Sequence, residues 1–341
     1  MATELTLDAA LRDAVHEQPE IRNRAIRNLA PALLERINER PPVAWSRSEH
    51  PSRAAVVEVL EQACADPSPQ NAGLAILGLA QLGAPSSRER ALAGLANQGE
   101  DEASMFVREC SVIALSLLGQ VARVEGGEAL ERIGQDLRAL LEDPRDDVRF
   151  QVGPALVETL DHAAESELLA ALAREEHPEI RENLITALAM IDPPSPLACD
   201  KLAALLLGED GRGPIGWEIA LALTAARRPE GGARLLEGLR VRAQRDDALE
   251  ALAVLGPDAP AEASEAVAKL MRGWLVPVFT QVRAAYAMAR IRPSEGEARL
   301  DELARNLRPA VREAVGEARA NLAKLAGEDS RRGGSAYRRE P

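Results

Sequence analysis

The sequence predicts an all-α protein built as a stack of about nine helical hairpins. Three observations carry that reading. One short stretch recurs along nearly the whole chain, the composition suits thin helical layers, and Pro and Gly punctuate the sequence at hairpin spacing. The clearest copy is Asp143-Pro-Arg-Asp-Asp-Val-Arg-Phe-Gln-Val-Gly-Pro-Ala-Leu156. It reads as a tight turn, a helix start with acidic residues in its first turn, a Val-Arg pair and an apolar stripe. Aromatic residues make up 2% of the 341 residues, whereas the apolar fraction is 46%. Trp, Tyr and Phe normally supply large parts of a globular core. Here Ala, Leu and Val must do so, and Ala and Leu are also strong helix formers.

In chain order, Leu5, Leu7, Leu11 and Val15 start a first helix at helical spacing. Pro19 opens the second, since a helix N1 position has no use for the missing N–H. Residues 40–52 contain three prolines and interrupt the pattern as an insertion loop. Helices follow over 53–65, 66–83, 86–97, 102–119, 128–142 and 143–156. Further helices are predicted over 164–175, 177–188, 196–208, 215–223, 230–242, 246–256, 260–273, 277–289, 295–306 and 309–322. Gly83 is a candidate helix C-cap and Asp192-Pro-Pro194 a helix stop. The array is expected to occupy 1–326 as a single domain. The Gly/Ser-rich end, 327–341, is expected to be a disordered tail.

The Val/Ile-Arg pairs fall at 21–22, 107–108, 148–149, 180–181, 282–283 and 311–312. Neighbouring copies lie roughly 29 to 46 residues apart, a period that signals stacked repeats. One hairpin has too little apolar area to bury both faces, so each must rest on the next. The positions assigned to this joint are Val107, Arg108, Pro144, Val148, Arg149, Ile180, Arg181, Val282, Arg283, Val311 and Arg312. The main reading of these arginines is structural: hydrogen bonds between repeats and packed methylene stems. The copies near 66, 215 and 246 lack the pair.

The Asp-Pro-x-x-x-Val-Arg pattern at Asp143, Pro144, Val148 and Arg149 resembles the HEAT-repeat family, in particular short bacterial HEAT-like repeats of the bilin-lyase type. The resemblance covers about 5–325. It implies a right-handed α-α superhelix in which the acidic turn residue and the second-helix arginine form ladders. It also implies a non-enzymatic scaffold or adaptor that holds a protein partner on its concave or edge surface. The alternative within the resemblance is a DNA-acting enzyme of the alkylpurine glycosylase type, or a lyase-type protein. Trp217 with Glu218, or Trp274, would then sit in a basic concave channel.

The formal charge is −13, which argues against a nucleic-acid partner and for a basic or helical protein segment. Residues offered for partner binding are Trp45, Arg47 and His50 in the insertion, Arg212 and Trp217 in an irregular copy, and Arg149 and Arg181 on the repeat face. Trp217 and Trp274 lie in apolar stretches where core packing is the default. The histidines His16, His50, His162 and His177 form no zinc spacing, and no phosphate loop or nucleophile elbow is present, so neither metal, cofactor nor catalytic residues are assigned. Cys64, Cys110 and Cys199 sit apart in apolar helices and read as buried reduced thiols. No leader and no stretch of roughly 18 apolar residues is recognised, so a cytoplasmic protein without a membrane span is expected. Replacing Val148 or Leu156 by Ala is expected to be costly, and changes at Arg145 or Asp146, read as solvated, nearly neutral.

Overall fold

The computed structural model describes residues 5–42, 50–125, 128–159, 161–192, 194–208 and 210–336. Among these residues every regular element is helical. The chain divides into two compact units, Met1–Ile191 and Asp192–Pro341. The division falls at the start of the Asp192-Pro-Pro194 stretch read from the sequence as a helix stop.

The first unit holds five hairpins. They are α1 (Leu7–Asp13) with α2 (Pro19–Arg36), α3 (Pro51–Ala63) with α4 (Pro69–Gln81), and α5 (Ser87–Leu95) with α6 (Glu102–Glu125). They continue as α7 (Glu128–Ala139) with α8 (Asp146–Thr159), and α9 (Glu165–Arg174) with α10 (Pro178–Ala189). The second helices α2, α4, α6, α8 and α10 pack side by side in that order, each backed by its own first helix. The second unit holds four hairpins: α11 (Pro196–Leu207) with α12 (Ile215–Ala225), α13 (Gly232–Gly238) with α14 (Arg245–Leu255), α15 (Ala263–Arg272) with α16 (Val278–Ile291), and α17 (Pro293–Leu303) with α18 (Pro309–Ala336). Here α12, α14, α16 and α18 form the second-helix layer.

Aliphatic side chains fill both layers. Leu29, Leu33, Leu60 and Leu79 are fully buried near the start of the chain, and Leu249, Val267, Met288 and Val311 in the second unit. Small residues set the helix spacing. At Gly296 a Cβ would meet Ala289 N at 2.0 Å, so α16 and α17 approach backbone to backbone. Gly83 has φ +60°, and the Ala84 amide beyond it donates to Leu79 O, closing α4 with a left-handed cap.

The stretch 143–156 is completed by the next hairpin. Pro154 lies inside α8 and cannot donate to Phe150 O. Asn183 Nδ2 of α10 supplies that bond instead, at 2.8 Å. The neighbouring Gly153 makes the approach possible, since a Cβ there would sit 2.8 Å from Asn183 O. Val148 and Leu156 are buried, as expected of core positions.

Several expectations need correction. Helix α18 runs through Ala336, into the stretch read as a disordered tail, while 337–341 lie outside the described residues. Helix α6 is long and apolar enough to cross a membrane by length and composition, contrary to the sequence reading. It packs against α4, α5, α7 and α8, as the central second helix of its unit. Cys64 is only half-buried, whereas Cys110 and Cys199 are buried; all three are free thiols. Arg145 is not simply solvated: it grips Asp143 and donates to Asn97 O at 2.7 Å.

Candidate functional site

The repeat arginines build the joint between hairpins. Each of four in the first unit donates to carbonyls of the turn that leads into its own helix or of the helix end just before that turn. Arg22 holds His16 O and Glu17 O, both at 2.8 Å. Arg108 holds Asn97 O at 3.2 Å and Gly99 O at 2.7 Å. Arg149 holds Asp143 O at 3.0 Å, and Arg181 holds Leu172 O and Glu175 O, both at 3.2 Å. Three of them also reach a carboxylate of the following hairpin. Arg22 pairs with Asp66 at 2.6 and 2.9 Å, Arg108 with Asp147 at 2.7 and 3.1 Å, and Arg149 with Glu175 at 2.8 and 3.3 Å. A planar guanidinium can do both at once, which a lysine ammonium cannot. Val107, Val148, Ile180, Val282 and Val311, each the residue before its arginine, are buried.

Electrostatics follow the pairing. The hydrogen bond from Arg149 holds Glu175 below the usual carboxylate range, against the opposing effect of burial. At Asp66, burial pushes upward, but bonds from Arg22, Ser68 and Asn71 outweigh it and the carboxyl stays low. In α4, where the pair is missing, Asn71 takes the buried valine position. Its amide donates to Pro19 O at 3.3 Å and its oxygen accepts from Asn23 Nδ2 at 3.0 Å.

The first helices are bridged too. Arg88 of α5 pairs with Asp136 of α7, and Arg138 of α7 with Asp161 ahead of α9.

In the second unit α14, α16 and α18 enclose an open groove of about 760 Å³. Asp246, Asp247 and Glu250 enter it from α14, and Glu313 and Glu317 from α18. Arg283 of α16 pairs with Asp246. Among the described residues no cation lies in ion-pair range of Asp247, Glu250, Glu313 or Glu317. Phe279, about half exposed, and Tyr286 give the floor two aromatic surfaces between carboxylates. The groove therefore joins negative charge to apolar contact area, on three parallel helices spaced by the repeat.

The residues proposed from the sequence do not converge on one place. Trp45 and Arg47 lie outside the described residues, as does most of the 40–52 insertion. His50 is a helix cap: its Nδ1 accepts from the Ser52 amide at 3.2 Å. Arg212 is exposed beside α12. Arg149 and Arg181 are engaged in the joint. Trp217 is a core residue, 7% exposed, with its ring against Gly238, where a Cβ would fall 2.4 Å from it. Trp274 reverses the default. It stands in the turn after α15 and is 88% exposed. Gly273 ends α15 before the apolar run Trp274-Leu-Val276, so that run is a turn and not a buried helix face. Sequence reasoning missed the groove carboxylates individually. Their signal was helical spacing, with Asp246 and Glu250, and Glu313 and Glu317, each four apart.

The solved structure of the Escherichia coli protein YibA superposes over 84% of this chain and 93% of its own, with a TM-score of 0.59 and 13% identity. The chain has the HEAT-repeat fold. Importin beta also matches, at 15% identity and a TM-score of 0.41, over 93% of this chain and 52% of its own. The karyopherin Kap121p, solved bound to the extreme C-terminus of the protein phosphatase Cdc14p, matches at 13% identity and a TM-score of 0.40. The chain spans 37% of that structure's length, against 91% of its own. No protein-family model and no curated protein matches the sequence.

Proposed function

We propose that this HEAT-repeat protein is a non-enzymatic scaffold that holds a basic, helical segment of a protein partner in the groove of α14, α16 and α18. One observation carries the reading: four carboxylates without a cation in range among the described residues, set around Phe279 and Tyr286 on parallel second helices. A helix in such a groove buries apolar anchors along one stripe while its Lys or Arg side chains meet the flanking carboxylates. The complex of Kap121p with the extreme C-terminus of Cdc14p is a property of that protein and is not transferred here. A reducing, cytoplasmic setting belongs to the same proposal, motivated by the three free cysteines.

The glycosylase alternative needs a positive concave face carrying Trp217 or Trp274. The described groove is acidic and Trp217 is buried, so nothing specific favours it. The test is calorimetric titration of the full chain with an amphipathic Arg/Lys-rich helical peptide. Expected is saturable binding that weakens with salt and falls at least about tenfold in Glu313→Lys/Glu317→Lys, both exposed positions. Equal affinity in the charge-reversed protein overturns the proposal.

A further inference from the structure

The turns between first and second helices differ in kind between the two units. In the first unit they carry the acidic side chains of the joint, among them Asp66, Asp143 and Glu175. In the second unit two turns instead carry arginines on both sides of an apolar residue, Arg240-Val-Arg242 and Arg305-Asn-Leu-Arg308, and the turn between them carries Gly273-Trp-Leu275 after Arg272, which ends α15 and pairs with Glu295. The apolar residues point outward: Val241 is 47% exposed, Trp274 88%, Leu275 76% and Leu307 93%.

The three turns share one edge of the unit. They lead into α14, α16 and α18, which pack side by side, and the second residues of those helices, Asp246, Phe279 and Ala310, line the same groove. The turns are also held from within. Arg245 Nε donates to Leu239 O at 2.9 Å, Gln281 Nε2 to Gly273 O and Val276 O at 3.1 and 2.9 Å, and Arg312 to Asn306 O and Leu307 O at 2.9 and 3.2 Å. Exposure of Trp274 and Leu307 is thus a built conformation. Among the described residues no carboxylate lies in ion-pair range of Arg240, Arg242, Arg305 or Arg308, although the chain as a whole carries a net charge of −13.

We infer that this edge docks on an anionic lipid bilayer, with Trp274, Leu275 and Leu307 inserted at the headgroup level and the four arginines on lipid phosphates. The side chains stand on protruding tips, not in a recess. A deformable interface accepts such tips without preformed sockets, and Trp is at home at that depth. The arginines supply attraction that acts only on a negatively charged leaflet. An RNA would use the arginines and one aromatic face, but it gives Leu275 and Leu307 nothing to stack on. The inference rests on residues other than those of the groove, which, Ala243 apart, is lined by the helices themselves and not by their connecting turns.

Co-sedimentation of the full chain with phosphatidylcholine vesicles, with and without phosphatidylglycerol, tests it. Binding is expected only with phosphatidylglycerol, reduced by salt, and at least about tenfold weaker in Trp274→Ser/Leu307→Ser and in Arg305→Glu/Arg308→Glu. Brominated-chain lipids should quench tryptophan emission in the wild type and not in Trp274→Phe. Circular dichroism of each variant shows whether it keeps its helices, and the surface positions predict that it does. No sedimentation with either vesicle overturns the inference, as does vesicle binding untouched by both double variants. Retention of a single-stranded RNA through Trp274 without vesicle binding overturns it in favour of nucleic acid.

Discussion

Replacing Arg108 by Met removes the most buried of the repeat clamps and keeps most of its packing volume. The Arg108 side chain is 3% exposed and that of Asp147 16%. Four hydrogen bonds disappear: two to Asp147, and those to Asn97 O and Gly99 O. Removing one partner of a buried pair costs about 3–5 kcal/mol, chiefly through the charge left behind. Asp147 keeps some access to water, which places Arg108→Met toward the lower end, about 2–4 kcal/mol. Asp147→Asn leaves Arg108 its two carbonyls and should cost about 1–2 kcal/mol. The double variant should then cost less than the sum by about 1–2 kcal/mol, because its remaining groups no longer strand a charge. Arg132, 61% exposed and paired with Glu128 within α7, is the control, and Arg132→Ala should cost less than about 0.5 kcal/mol. Urea unfolding followed by circular dichroism measures all four. If Arg108→Met costs no more than Arg132→Ala, or the two joint variants simply add, the arginines are not the joint.

Other expectations follow from the same geometry. Gly296→Ala places a Cβ 2.0 Å from Ala289 N and 2.3 Å from its Cα, so the α16–α17 hairpin must open, and a loss of at least about 2 kcal/mol is expected in urea unfolding. Val148→Ala should cost about 1–3 kcal/mol, and Arg145→Ala, read from sequence as neutral, about 1–2 kcal/mol through its lost bonds to Asp143 and Asn97 O. Glu175 has a lowered pKa when folded, so its contribution is complete above the unfolded carboxylate value of about 4.3 and vanishes as pH falls through the folded value. The stability gap between wild type and Arg149→Met should therefore narrow below about pH 4 in acid titrations at fixed urea. Burial pushes the Cys64 thiol up to about 11 and Cys110 up to about 12, so neither should react with Ellman's reagent at pH 8 until the chain unfolds.

The hairpin architecture was legible because the joint is local. Pro at N1, the apolar residue two positions on and the arginine after it lie within one helical turn, as in Pro178-Glu-Ile-Arg181. What escaped was set by partners far along the chain. Arg145 looked solvated because its acceptor Asn97 O is 48 residues away. The role of the arginine missing from its usual place in α14 was unreadable because Arg245, the first residue of that helix, clamps the turn instead. Trp274 was assigned to a core by its apolar neighbours, yet Gly273 had already ended the helix. The groove needed the stacking order of α14, α16 and α18 before carboxylates more than 60 residues apart in sequence could share one surface.

The most direct test of the binding account is the peptide titration in Glu313→Lys/Glu317→Lys beside Arg132→Ala, a charge change remote from the groove in the chain. The account predicts that both variants keep wild-type helicity and thermal stability, and that only the first loses at least about tenfold in affinity. Undiminished binding to the charge-reversed groove, with the fold intact, would contradict it.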